Sequence, residues 1–259
     1  MSDALEAAWS ALEEGLPEEA LELLEEAEPD APRWACAALS YLDLGAYTEA
    51  DRMAARAEAA AADDPDVLLA SGEVHLSAWR IERARKAYER LAECAPSREG
   101  LERLALCLDL LGDEPGADRA LTRAADLDPE GRPRAPRLEP AEFEAVVVRA
   151  VDDLPPEFQA ALGRVAIVID PVPGIGAVVG DGRETPPDLL GLFVGTPLVE
   201  ESTEASLQLP PTVYLFQRNL ERGVATAEEL IEEIRVTLYH ELGHALGFDE
   251  EGVEEMGLG

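Results

Sequence analysis

Lysine is nearly absent. The 259-residue chain has one, Lys86, beside twenty arginines, and its 21 basic side chains face 55 acidic ones for a formal net charge of −34. A deficit of that size argues against nucleic-acid binding, whose affinity comes largely from cationic contacts to phosphate. It also repels anionic membrane surfaces and favours basic partners or substrates. The acidity is not confined to a tail: the first 137 residues carry 15 basic and 31 acidic side chains, the remainder 6 and 24. Long apolar runs are missing too, and none approaches the roughly 18 residues a membrane-crossing helix needs. The opening MSDALEAAWSALEEG lacks the basic patch and apolar core of a secretion signal. These absences predict a cytoplasmic protein with neither nucleic acid nor membrane among its partners.

Cysteine is scarce as well. Cys36, Cys94 and Cys107 are odd in number and widely spaced, with no CxxC pair, which excludes a zinc knuckle and a thioredoxin-like redox motif. Small buried helix positions in a reduced compartment are the expectation for all three. Histidine is limited to His75, His240 and His244.

What is present in the first half is a repeat. Prolines recur at Pro32, Pro65, Pro96 and Pro129, and alanines at Ala20, Ala50, Ala84 and Ala117, with a step of 30 to 34 residues. Five residues before each alanine stand Gly15, Gly45, Trp79 and Gly112, so one position is glycine in three copies of four. Each unit reads as two amphipathic helices, the first ending near the glycine and the second carrying the alanine, with proline closing the unit. A period near 34 with small residues at crossing points means stacked helix pairs. Alanine belongs where two helices approach closely, and glycine where the chain turns between them. This pattern resembles the tetratricopeptide repeat family over about residues 3–130, in four copies. The resemblance implies an all-α solenoid with a concave surface for a partner protein or peptide.

The segment DPEGRPRAPRLEP, residues 128–140, breaks any helix with its prolines and glycine and reads as a semi-rigid linker. The expected boundaries are a repeat array over 1–130, a linker over 131–138 and a second domain over 139–259. In that domain AEFEAVVVRAVDDL reads as a helix with Phe143, Val146, Val147 and Ala150 on one face. RVAIVID (164–170) reads as a buried strand, and LLGLFVGTPL (189–198) and TVYLFQRNL (212–220) as two more strands. Such an order predicts a small α+β domain. Glycines 174, 176 and 180 imitate a dinucleotide fingerprint, but the spacing is GxGxxxG and DGRETPPD follows where a helix should begin. The stretch therefore reads as a loop.

The last helix is announced by Thr226 and Glu229, a T-x-x-E capping box. Leu230, Ile234, Leu238, Leu242 and Ala245 follow at helical spacing, and Gly247 is the natural stop. Within this helix stands LYHELGHALGFDEEG, with His240-Glu241-Leu242-Gly243-His244 forming HExxH. Two histidines four apart on a helix point the same way and can share one metal ion. Glu241 falls on the adjoining face, placed to take a proton from a metal-activated water and not to ligate. The composition alone predicts only about 0.005 such matches in the chain. A catalytic zinc usually takes three protein ligands. The third must follow Gly247: Glu250 fits best by spacing, with Asp249 and Glu254 as rivals.

DDLPPEFQAAL, LLGLFVGTPL, VYLFQRNL and RVTLYHELGHALGFDEE together are similar to the small bacterial zincin-like metallopeptidase family, over about residues 139–259. The resemblance implies a minimal zincin with the pattern HExxHxxGxxD. It implies Zn2+ on His240 and His244, and Glu241 as general base. It also implies an acidic third ligand, which in this chain becomes Glu250 or its neighbour Asp249. The full expectation is a zinc metallopeptidase whose repeat array recruits a protein substrate. Its rival is a non-catalytic adaptor with a structural or vestigial zinc site. Candidates to steady an oxyanion are Tyr214, Arg218, Arg235 and Tyr239, among which the sequence does not choose.

Overall fold

The computed structural model of the chain describes residues 3–127, 133–134, 136–152, 154, 158–159, 162–174, 185–196 and 210–248. Two compact units emerge, Met1–Pro129 with Gly176–Pro187, and Glu130–Ile175 with Asp188–Gly259.

The first unit is all-helical and repetitive. Its helices form four successive pairs: α1 (Asp3–Glu13) with α2 (Pro17–Leu24), α3 (Ala31–Asp43) with α4 (Tyr47–Ala61), α5 (Pro65–Ser77) with α6 (Ile81–Cys94), and α7 (Arg98–Leu110) with α8 (Glu114–Leu127). Ala20, Ala50, Ala84 and Ala117 are each 0% exposed, one per second helix, where a larger side chain would hold neighbouring helices apart. The turn inside every pair is the same. Gly15, Gly45, Trp79 and Gly112 adopt left-handed φ values of 75°, 67°, 54° and 78°. In each copy their amide bonds the carbonyl three residues back and the next amide the carbonyl five back, a Schellman closure.

Trp79 is the exception that carries a side chain. Left-handed backbone costs such a residue roughly 1–2 kcal/mol, and its indole Nε1 donates to the Thr185 carbonyl at 2.8 Å. The prolines differ slightly from the sequence expectation. Pro32 and Pro65 lie in the first turn of the next helix, behind the N-caps Asp30 and Asp64, and so open a unit instead of closing one. Proline suits that turn because its missing N–H would have no intrahelical partner. Cys36 and Cys107 are buried as expected, but Cys94, at the end of α6, is exposed. Among the described residues no helix is long and apolar enough to cross a membrane.

Among its described residues the second unit is a three-stranded sheet with helices. Helix α9 (Pro140–Asp152) buries Phe143, Val146, Val147 and Ala150, the face its spacing predicts. Strands β1 (Ala166–Asp170), β2 (Gly191–Val194) and β3 (Thr212–Phe216) lie in the order β1-β3-β2. The central β3 runs parallel to β1 and antiparallel to β2, with Tyr214 opposite Val168 on one side and Leu192 on the other. Val213 and Leu215 join Phe143, Leu238 and Leu242 in one apolar core.

Two strand expectations need correction. Among the described residues β1 is an edge, with Ala166 exposed and the rest half-buried, so its continuous apolar run does not mark a buried strand. The TVYLFQRNL strand stops at Phe216, and α10 (Gln217–Arg222) follows at once. Buried polar side chains make that switch. Asn219 Nδ2 donates to the Leu189 carbonyl at 2.8 Å, and Gln217 Nε2 to the Leu138 carbonyl at 2.9 Å. Glu221, 1% exposed, accepts from the Leu138 amide, Gln217 Nε2 and Arg218 Nη1 at 3.0, 2.8 and 2.8 Å. A last helix, α11 (Ala227–Ala245), packs on α9, β2 and β3.

Candidate metal centre

Helix α11 is fixed before its histidines are reached. Thr226 accepts from the Glu229 amide at 3.2 Å, while the Glu229 carboxylate reaches back to the Thr226 amide at 3.3 Å. Leu230, Ile234, Leu238, Leu242 and Ala245 are all 0% exposed, which locks the rotation of the helix about its axis. With the apolar stripe committed, His240 and His244 emerge half-buried on the same side.

Their rings lie 4.8 Å apart, edge to face, and the two Nε2 atoms approach to 3.1 Å. Zinc–nitrogen bonds are about 2.0–2.1 Å. Twice that length exceeds the separation, so one ion can be held by both rings. The outer nitrogen of His244 is also assigned: Nδ1 lies 3.1 Å from the Phe248 carbonyl oxygen. That oxygen can only accept, so Nδ1 carries the proton and Nε2 presents its lone pair inward, as a metal ligand must. Gly247 creates this support. Its φ of 91° ends the helix, and the Phe248 amide then bonds the Gly243 carbonyl at 3.1 Å, bringing the Phe248 carbonyl beneath His244. The donor set and its tautomer fit zinc.

Glu241 points to the adjoining face, as the spacing predicts, and is 8% exposed. Its Oε2 accepts from the backbone amide of Phe193 in β2 at 2.6 Å. Gly191, two residues earlier in β2, allows that approach. A Cβ there would lie 2.6 Å from Thr237 Cγ2, 3.1 Å from Glu241 Cγ and 3.2 Å from the Tyr214 carbonyl oxygen.

Among the described residues no three His, Cys, Asp or Glu side chains are grouped to hold a metal ion. Two of the expected ligands are placed, whereas Glu250, its alternative Asp249 and the rival Glu254 lie outside the described residues. Gly176 and Gly180 of the glycine-rich loop also lie outside them. The four oxyanion candidates fare poorly. Arg218 is committed to Glu221, Arg235 pairs with Glu232 at 2.5 Å, and Tyr239 packs edge-on against Phe158. Tyr214 alternates with the core residues Val213 and Leu215, so it faces away from α11.

Sequence reasoning missed the Phe193 amide and the Phe248 carbonyl, because backbone groups carry no residue signature. Gly191 was the one visible clue, since glycine inside a strand marks close backbone approach.

The family model described as zincin-like metallopeptidase matches residues 162–259, so the second unit carries a zincin-like metallopeptidase domain. Two solved structures of MamA are also similar. One, from AMB-1, has 22% identity and a TM-score of 0.42, covering 49% of this chain and 73% of that one. The other, from MSR-1, has 23% identity and a TM-score of 0.42, covering 49% and 75%. No curated protein matches the sequence.

Proposed function

We propose that the chain is a zinc-dependent peptidase whose helical array recruits a protein or peptide substrate. The observation that carries this reading is the convergence of His240 and His244, with Nε2 atoms 3.1 Å apart and the His244 tautomer set by Phe248. His240, His244 and Glu250 would hold the ion, with Asp249 as the alternative third ligand. When bound, zinc supplies a Lewis acid that polarises a carbonyl oxygen and acidifies water.

The remaining work falls to the protein. Glu241 takes the proton of the attacking water and returns it to the leaving amine. The Phe193 amide holds Oε2 and with it the rotamer, so the proton is handled at Oε1. The array supplies an extended surface for a partner chain. With 31 acidic against 15 basic side chains in the first 137 residues, it favours a basic one.

The test is hydrolysis of basic protein substrates by zinc-loaded full-length chain, with Glu241→Gln beside it. Glutamine can still accept from Phe193 but cannot carry the proton. Zinc is expected to stay bound while turnover falls at least about 100-fold. Turnover equal in the two proteins, or absent in both with zinc bound, favours the adaptor reading. Glu250→Gln is expected to weaken zinc retention and Asp249→Asn to leave it unchanged.

A further inference from the structure

Three cavities among the described residues occupy the same place in successive repeats. Each is walled by the second helix of one pair and both helices of the next. In chain order their volumes are about 340, 270 and 550 Å³. Their charges differ. The first sets Glu22 and Glu25 against Arg33 and Arg56, a balance. The third sets Glu89, Glu93 and Asp113 against Arg119 and Arg123, an acidic excess. The middle cavity, between α4, α5 and α6, has Glu58 against Arg83, Lys86 and Arg90. A local excess of two positive charges thus stands on a chain whose net charge is −34.

Those cations are not all spoken for. Arg80, the N-cap of α6, pairs with Asp51, and Arg85 within α6 with Glu82 and Glu89. Arg90 pairs with the exposed Asp63. Arg83 and Lys86 have no ion-pair partner among the described residues, although acids outnumber bases more than two to one in the chain. The wall behind them includes two polar atoms without partners among the described residues. Ser71, 3% exposed, lines the cavity, and neither its hydroxyl nor His75 Nδ1 has a hydrogen-bond partner among the described residues. Glu58 touches His75 Nε2 at 3.4 Å, from a side chain 42% exposed.

We propose that this middle groove binds the phosphate group of a small phosphate ester. A phosphate carries a charge of about −1.5 to −2 at neutral pH, which matches the two lining cations without an ion-pair partner among the described residues, Arg83 and Lys86, whereas a single carboxylate would offset one of them. Arg83 offers a planar fork suited to phosphate oxygens, and Lys86 a compact charge with three donors. A volume of about 270 Å³ holds a phosphate and a small organic body. It falls just below the roughly 300–1,000 Å³ typical of drug-sized pockets. The two sister grooves, at the same place in their repeats, lack the charge.

The test is equilibrium binding of inorganic phosphate to the full-length chain, dialysed against a chelator so that no metal in the second unit can capture it. Wild type is expected to bind about one phosphate per chain saturably. Arg83→Ala/Lys86→Ala is expected to bind at least about 10-fold more weakly. Arg119→Ala/Arg123→Ala, in the third groove, should bind as wild type does. Arg83 and Lys86 are exposed, so their double variant should keep its fold, checked by circular dichroism and its unfolding midpoint. No saturable binding by wild type overturns the proposal. So does equal binding by the Arg83/Lys86 variant, or equal weakening by both variants, which would mark diffuse charge attraction.

Discussion

Glu241 Oε2 accepts a hydrogen bond from the Phe193 amide at 2.6 Å, across 48 residues of sequence. The bond joins the C-terminal part of the HExxH helix to the β2 strand, so the position of the proposed base depends on how closely that strand lies on α11. That closeness is set by Gly191.

Gly191→Ala places a Cβ 2.6 Å from Thr237 Cγ2 and 3.2 Å from the backbone oxygen of Tyr214. The methyl of Thr237 and the central strand cannot both yield, so β2 must lift from the helix. Overpacking of this kind costs about 1–3 kcal/mol. Urea denaturation should show that loss. Activity should fall further than stability does, because the Glu241–Phe193 bond lengthens with it.

Glu221→Ala removes a carboxylate that is 1% exposed and receives three hydrogen bonds. The Arg218 guanidinium and the Leu138 amide are left buried without it. Breaking one partner of a buried pair costs about 3–5 kcal/mol. The second unit is expected to lose its cooperative unfolding transition while the helical signal of the array persists on thermal denaturation.

These two residues show where the sequence was legible. The repeat step, the four small turn positions, the capping box and the apolar stripe of α11 are local patterns, each readable within one or two helices. The convergence of the two histidines on one side of α11 was legible because residues four apart on a helix share a face. The end of β3 at Phe216 was not, since Gln217, Asn219 and Glu221 turn helical against partners at 138 and 189, far away in the chain. β1 misled for a related reason: an apolar run says nothing about whether a strand is central or at an edge.

His75 gives a pH dependence. Burial chiefly, then the nearby Arg80, lowers its pKa below the usual 6.5, outweighing Glu58 and Asp51 on the other side. The unfolded chain therefore binds the proton more readily than the folded one. Stability contributed by neutral His75 is complete above pH 6.5 and is lost as pH falls below it toward the lowered folded value. Asp43 and Asp66 have raised values, so they act oppositely, but only nearer their ordinary 3.8. Urea midpoints measured between about pH 7.5 and 5.5 should fall more steeply for wild type than for His75→Gln.

Thiol reactivity should separate the three cysteines. Burial pushes the Cys36 thiol up to about 12, and Cys107 is likewise buried, whereas Cys94 is exposed. An aromatic disulfide reagent is expected to titrate Cys94 alone in the native protein and all three cysteines in denaturant. Equal native reactivity at Cys36 would show that the first core opens readily.

The most direct test of the central claim is zinc content, by plasma mass spectrometry on dialysed full-length protein, beside a His240→Ala/His244→Ala variant. The convergence of the two Nε2 atoms predicts about one zinc per chain in wild type and none in the variant. No zinc in wild type after reconstitution, or equal zinc in both proteins, would contradict it.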